Sequence, residues 1–289
     1  MDDKKVLDKL QSVSTDMRAK SAIESEKNTE EQDVKINLLE LFFCEPHTIP
    51  HEVGLPITIY QPTIYDFIKY GEDDVSGLIM PFISNSTTYR LQLWKNGVDW
   101  NKVSDYEMFL SLFTEEYANA FSGCSHILFG DLDIGKFEPI VDTQGDEPRA
   151  ALYNFEQKAF IDEKVYKHIA AYVQAMFNAK PKVEFAKGKS NKLDCIFEDE
   201  QKLKHQKKDK NTSNMLDMIS FCLNHPGFKY KKNELKEVGI FEFMNSVQRL
   251  NVYEGTKALV NGVYSNPFLD SSKLDKNELN FMRSLDGSS

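Results

Sequence analysis

The chain has 289 residues, 41% of them hydrophobic, with 45 acidic against 35 basic side chains and a formal charge of −10. That supplies apolar material for one large domain or two small ones, and the acidic balance argues against a general nucleic-acid binder, which needs a basic face to displace counterions. No apolar run approaches the roughly 20 residues that span a bilayer, the first residues lack the apolar core of a signal peptide, and the four cysteines lie far apart. The expectation is a cytoplasmic protein with no membrane segment and with free or buried thiols.

Residues 1–32 are highly charged and contain no aromatic side chain. Val6, Leu10, Val13 and Met17 follow a 4-3-4 spacing, a narrow helical stripe too short to be stable alone. Two readings stay open: a flexible arm, or a helix that orders on a partner. A mixed domain is expected over 33–160. The run "VKINLLELFF" fits strand or helix. The strand is favoured, pairing with "PITIY" across "CEPHTIPHEVGLP". Pro62 then ends the strand by removing an amide donor, and Thr63 caps a helix with Asp66 near its positive end. Ile64, Phe67 and Ile68, with Tyr60 a further candidate, should face inward. A helix through "TTYRLQLWKNG" should end at Gly97. "SDYE" is a capping box, Ser104 to Glu107, opening "MFLSLFTEEYANAF" with Met108, Phe109, Leu112, Phe113 and Tyr117 on a broad apolar face. "HILFGD", "KFEPIVD" and "AALYNFE" read as β-like, with "DLDIG" a turn.

A helical domain is expected over 161–289, with a boundary near 156–162. Asp162 should cap "DEKVYKHIAAYVQAMFN", burying Val165, Ile169, Tyr172, Val173 and Met176. A loop follows, and "FEDEQKLKHQKKDKN" is a charged helix or a link. Residues 180–210 hold ten lysines and six acidic side chains, a locally basic linker. "SNMLDMISFCLN", "IFEFMNSVQRLNVYEGTKALVNGVY" and "DKNELNFMRSL" should be helices, the last with Asp275 and Glu278 placed as in a capping box. The expected class is α+β, predominantly helical, with short antiparallel strands in the N-terminal half and a helical C-terminal half.

Candidate chemistry is sparse. Cys44, His47 and His51 are zinc-competent donors, but their spacing is no finger pattern and a fourth ligand is lacking. A surface loop with two ordinary histidines is the simpler reading. Asp131 and Asp133 could hold a hard cation, but the loop does not continue as an EF-hand, and Asp and Gly are turn formers. Glycine-rich phosphate loops, dinucleotide fingerprints, nucleophile elbows and zinc-protease helix motifs are missing from the sequence. The expectation is a protein that is not an enzyme, with no cofactor and no metal. Lys202, Lys204, Lys207, Lys208 and Lys210 are the best nucleic-acid feature, yet acids interrupt them and stacking aromatics are few. Trp94 and Trp100 suit a core or a protein interface better than a ligand cage.

Several strings occur together: "YQPTI" (60–64), "YRLQLW" (89–94), "DW" (99–100), "FGDLD" (129–133), "FMNSVQRL" (243–250), "YS" (264–265) and "LNFMRSL" (279–285). In order, over most of residues 35–286, they resemble an uncharacterised family of tailed-phage and prophage proteins from Gram-positive hosts. The resemblance implies a place in virion morphogenesis: a tail or baseplate assembly chaperone working in the host cytoplasm through protein–protein contacts. It supplies no catalytic residues. The large side chains Trp94 and Trp100, and the stripe Val6, Leu10, Val13 and Met17, are then the candidate partner contacts. One alternative is a structural component retained in the virion. The other is a nucleic-acid-binding or regulatory protein using residues 180–210.

Overall fold

The computed structural model describes residues 34–52, 54–142, 149–206, 214–265, 275 and 277–285; Val6, Leu10, Val13 and Met17 lie outside them. Asn37 opens helix α1 (Leu38–Phe42), its side chain accepting from the Leu39 amide at 3.1 Å and donating to Glu40 at 2.8 Å. The run expected to be a strand is therefore a helix, because local capping decides what a short apolar run cannot. The strand partner lies within the expected loop instead. β1 (His47–Ile49) pairs antiparallel with β2 (Ile57–Ile59), His47 opposite Ile59.

After β2 the chain turns at Pro62 into α2 (Ile64–Tyr70), where the Asp66 carboxylate accepts from the Thr63 amide at 2.7 Å and the Thr63 hydroxyl at 2.8 Å. Ile64 and Phe67 are buried as expected, but Ile68 and Tyr60 are exposed. Ile68 sits about 100° around the helix from Phe67, which turns it out of the packed face. The Tyr60 ring instead lies over Gly130, which has φ +58° and no room for a side chain beneath that ring. Gly71, at φ +92°, separates α2 from α3 (Glu72–Ile83), which buries Val75, Leu78, Ile79 and Phe82.

Next come α4 (Arg90–Lys95), a 3-10 turn (Trp100–Lys102), α5 (Asp105–Leu112), α6 (Glu115–Phe121) and α7 (His126–Phe129). The expected Ser104–Glu107 capping box opens α5: the Glu107 carboxylate accepts from the Ser104 amide at 2.8 Å, and the Glu107 amide donates to the Ser104 hydroxyl at 3.1 Å. The single helix expected after it is broken at Phe113, because Thr114 starts a new one by accepting from the Tyr117 amide. "HILF" is helical, not β-like. Three consecutive buried residues, Ile127, Leu128 and Phe129, fit no half-buried strand, and Gly130 ends the turn. Phe82 meets Phe109, Phe113 and Phe129 at ring separations of 5.4, 6.2 and 5.8 Å.

A three-stranded antiparallel sheet follows: β3 (Phe137–Asp142), β4 (Arg149–Asn154) and β5 (Ala159–Ile161), in that spatial order. β3 is one of its two edge strands and carries Pro139. Asp162 caps α8 (Glu163–Met176), accepting from the Val165 amide at 2.7 Å, and the expected stripe of Val165, Ile169, Tyr172, Val173 and Met176 is buried. α8 packs on α3, α5, β1 and β5. The expected boundary near 156–162 therefore does not divide the core: one cluster runs from Leu41 to Val247, within a unit covering residues 36–289.

The rest comprises α9 (Lys189–Gln206), α10 (Asn214–Asn224) and α11 (Ile240–Ser265). "DKNELNFMRSL" forms turns, not a helix, over its described residues. The Asp275 and Asn280 side chains accept from the Asn277 and Met282 amides, both at 2.9 Å, and so compete with helical bonding. Eleven α-helices and two small antiparallel sheets among the described residues make the fold α+β and mostly helical.

Gln61 ties the two ends of this unit together. Its side-chain amide donates to the Leu41 carbonyl at 2.9 Å and its carbonyl accepts from the Phe241 amide at 2.8 Å. The Ile240 amide donates to the Pro62 carbonyl at 2.9 Å, and the Ile64 amide to the Val238 carbonyl at 3.0 Å. A methyl group at Gly239 would collide with Cys44 Sγ and Gln61 Oε1. Gln61→Leu leaves the Phe241 amide unpaired and removes one of the two bonds to the Leu41 carbonyl, and should cost about 2 kcal/mol. Phe82→Ala should cost roughly 3–5 kcal/mol by opening a cavity. Urea denaturation of both variants checks these values.

Candidate functional site

The chain's two tryptophans fall in a small apolar cluster apart from the main core. α4 brings them there. Gly97 adopts φ +74°, its amide donates to the Trp94 carbonyl, and the Val98 amide donates to the Leu93 carbonyl, both at 2.9 Å. This Schellman closure ends α4 where the sequence predicts and sends the chain back under it. Asp99 then caps the 3-10 turn, and Trp100 is buried while Trp94 stays half-exposed, their rings 6.1 Å apart and edge to face. Trp100 is thus a packing residue of this chain and presents no surface to a partner.

Residues 182–186 run extended across this corner with side chains alternating. Glu184 and Ala186 turn inward, while Val183 and Phe185 are each 72% exposed. The Glu184 amide donates to Thr87 Oγ1 at 3.1 Å, Asn101 Nδ2 to the Ala186 carbonyl at 2.9 Å, and Asn85 Nδ2 to the Lys182 carbonyl at 3.1 Å. α9 then returns over α4.

A buried charge fastens α9. Arg90 is 3% exposed, and it donates from Nε and Nη2 to the Asp199 carboxylate at 2.5 and 2.8 Å and from Nη1 to Glu184. The planar fork binds Asp199 with two parallel bonds and still reaches Glu184, a bidentate geometry that a lysine does not offer. The Asp199 hydrogen bond raises the Arg90 pKa despite burial. At the other end, Lys192 Nζ lies 2.6 Å from Asp99 and 5.6 Å from the Trp100 ring centre. Hydrogen bonding to Lys182, and then to Arg90, holds the Glu184 carboxyl below its usual range against some desolvation. For Asp99, burial pushes upward but is outweighed by Lys192 and the Asn101 amide, so its pKa is also lowered.

Between α4 and α9 lies an open groove of about 720 Å³, lined by Trp94, Lys95, Leu193, Asp194, Ile196, Phe197 and Glu200. Leu193 and Phe197 are 46% and 62% exposed, one turn apart on α9. Of the expected partner contacts among the described residues, Trp94 lines this surface and Trp100 does not. Arg90, Asp199 and Glu184 were not legible as a group. The i, i+4 pair Leu193 and Phe197 in a charged helix was the available signal.

The other candidates are structural where described. His47 stacks on Tyr172 at 4.9 Å, and His51 stacks on Phe160 at 4.6 Å while accepting from the Gly54 amide. Cys44 follows α1 at φ +57°. No group of three or more His, Cys, Asp or Glu side chains is placed to hold a metal among the described residues. Asp133 caps a 3-10 turn through the Gly135 amide at 2.9 Å, and the Asp131 carbonyl accepts from Gln157, so "DLDIG" is the turn it was read as. Lys202 and Lys204 are exposed on α9, and Lys202 pairs with Asp199 at 3.6 Å; Lys207, Lys208 and Lys210 lie outside the described residues. Described helices include none long and apolar enough to cross a membrane. Comparison with family models, curated proteins and solved structures gives no match.

Both depressed carboxyls imply a pH dependence. Glu184 and Asp99 contribute stability above the ordinary carboxylate range near pH 4, and it is lost as pH falls through their lower folded values. Tryptophan emission should hold steady from about pH 7 to 5 and shift to the red below about pH 4. Titration of the 295 nm-excited emission measures it.

Proposed function

We propose that this chain is a tailed-phage morphogenesis protein, a tail or baseplate assembly chaperone that works in the host cytoplasm by gripping another polypeptide. The observation that carries the reading is the groove beside Trp94, where Leu193 and Phe197 stand exposed on a helix rich in charged residues. Large apolar side chains beside a concave surface are where interface energy concentrates. The succession of short strings from "YQPTI" to "LNFMRSL" supports the phage assignment. Retention in the finished particle as a structural component is the second form of the same reading.

The nucleic-acid alternative has weaker support. Between residues 189 and 206 four lysines face four carboxylates, so the described helix is balanced in charge. Lys182, Lys192 and Lys202 pair with Glu184, Asp99 and Asp199. A phosphate-binding face needs uncompensated cations.

Affinity purification of the tagged chain during phage production should recover a tail or baseplate component identified by mass spectrometry. Leu193→Ser with Phe197→Ser should reduce that recovery more than tenfold, since losing anchor side chains costs about 2 kcal/mol or more. Failure of the unaltered chain to recover such a component would overturn the reading. Proteomics of purified virions separates the two forms, with a chaperone scarce and a building block at fixed copy number.

A further inference from the structure

We propose that residues 182–206, the extended segment and α9, form a releasable strap that lifts from α4 while the main core stays folded. The inference goes beyond the partner-binding reading and does not rest on it.

Three observations carry it. The apolar cluster at the strap's contact has four buried members, Leu91 and Trp100 beneath it and Ala186 and Ile196 on the strap itself, and is separate from the main core. Among the described residues of α9, only Ile196 is buried. The attachment is therefore mostly polar: Arg90 to Asp199 and Glu184, Lys192 to Asp99, and side-chain bonds from Asn85, Asn101 and Trp100 to the carbonyls of Lys182, Ala186 and Glu184. Such a contact is exchanged for water at little net cost when it opens, unlike an apolar core. An 18-residue helix with this much charge has little stability of its own, so it loses its order once detached. Release uncovers Leu91, Trp94 and Trp100 together and removes the groove.

Because both tryptophans sit under the strap, their emission reports this contact, while far-UV circular dichroism is dominated by the other helices. In a urea titration the tryptophan transition should come at lower urea than the main circular-dichroism transition. Glu184→Gln with Asp199→Asn leaves Arg90 without a charged partner and should move the tryptophan transition lower still, with the main transition in place. Amides of 189–206 should exchange at least tenfold faster than those of α8. If the double variant fails to fold, Lys192→Met loosens the Asp99 end with the same readouts. Coincident transitions in the unaltered chain, or α9 amides as protected as those of α8, overturn the proposal.

Discussion

A single buried carboxamide holds the main unit together. Gln61 joins the end of α1 to the start of α11, 200 residues away in sequence, by giving the Phe241 amide its partner and the Leu41 carbonyl a second donor beside the Cys44 amide. The requirement is strict because a buried backbone group cannot fall back on water. Glu would supply no donor, a hydrophobic residue would supply neither group, and Gly239 must stay small for the side chain to fit. Pro62 sets the angle of this corner, and its carbonyl receives the Ile240 amide. The strand, the sharp turn and the helix around "YQPTI" thus serve to seat a distant helix, and no reactive group is needed there.

With that seam closed, α8 can serve as a shared wall. Its buried stripe meets helices and strands from earlier in the chain, which is why the mixed half and the helical half share one core. Their aromatic rings fill the centre, Phe82 touching three others and Tyr106 stacked on Phe109 at 6.0 Å. The α4–α9 corner differs in kind. There, polar bonds do most of the holding and few apolar atoms are hidden, so order in that corner is separable from order in the rest.

What could be read from the sequence follows the range of the interactions. Ser104 with Glu107, Asp162 before α8 and Gly97 after α4 act within a few residues, and each marks its helix end as read. α1 and α7 were misread because each is a run of five residues or fewer with no room for a period to show. "NELNFMRSL" carried helical spacing, but Asp275 and Asn280 spend their side chains on turns. The Arg90 clamp was out of reach. Its carboxylates lie 94 and 109 residues away, and each side chain alone is an ordinary surface charge. Trp100 was a candidate partner contact on the strength of its size, with a core position as the alternative; the turn after α4 buries it.

The β3 edge of the three-stranded sheet is guarded by chemistry. Among the described residues no strand pairs with the free side of β3, and Pro139 stands in its middle with no amide hydrogen to offer. Glu138 and Val141 are exposed alongside it. An incoming extended chain would find a gap in the ladder and the exposed Glu138 carboxylate in its path. Strand addition along this edge is thereby disfavoured, so β3 is a poor seed for edge-to-edge stacking of sheets.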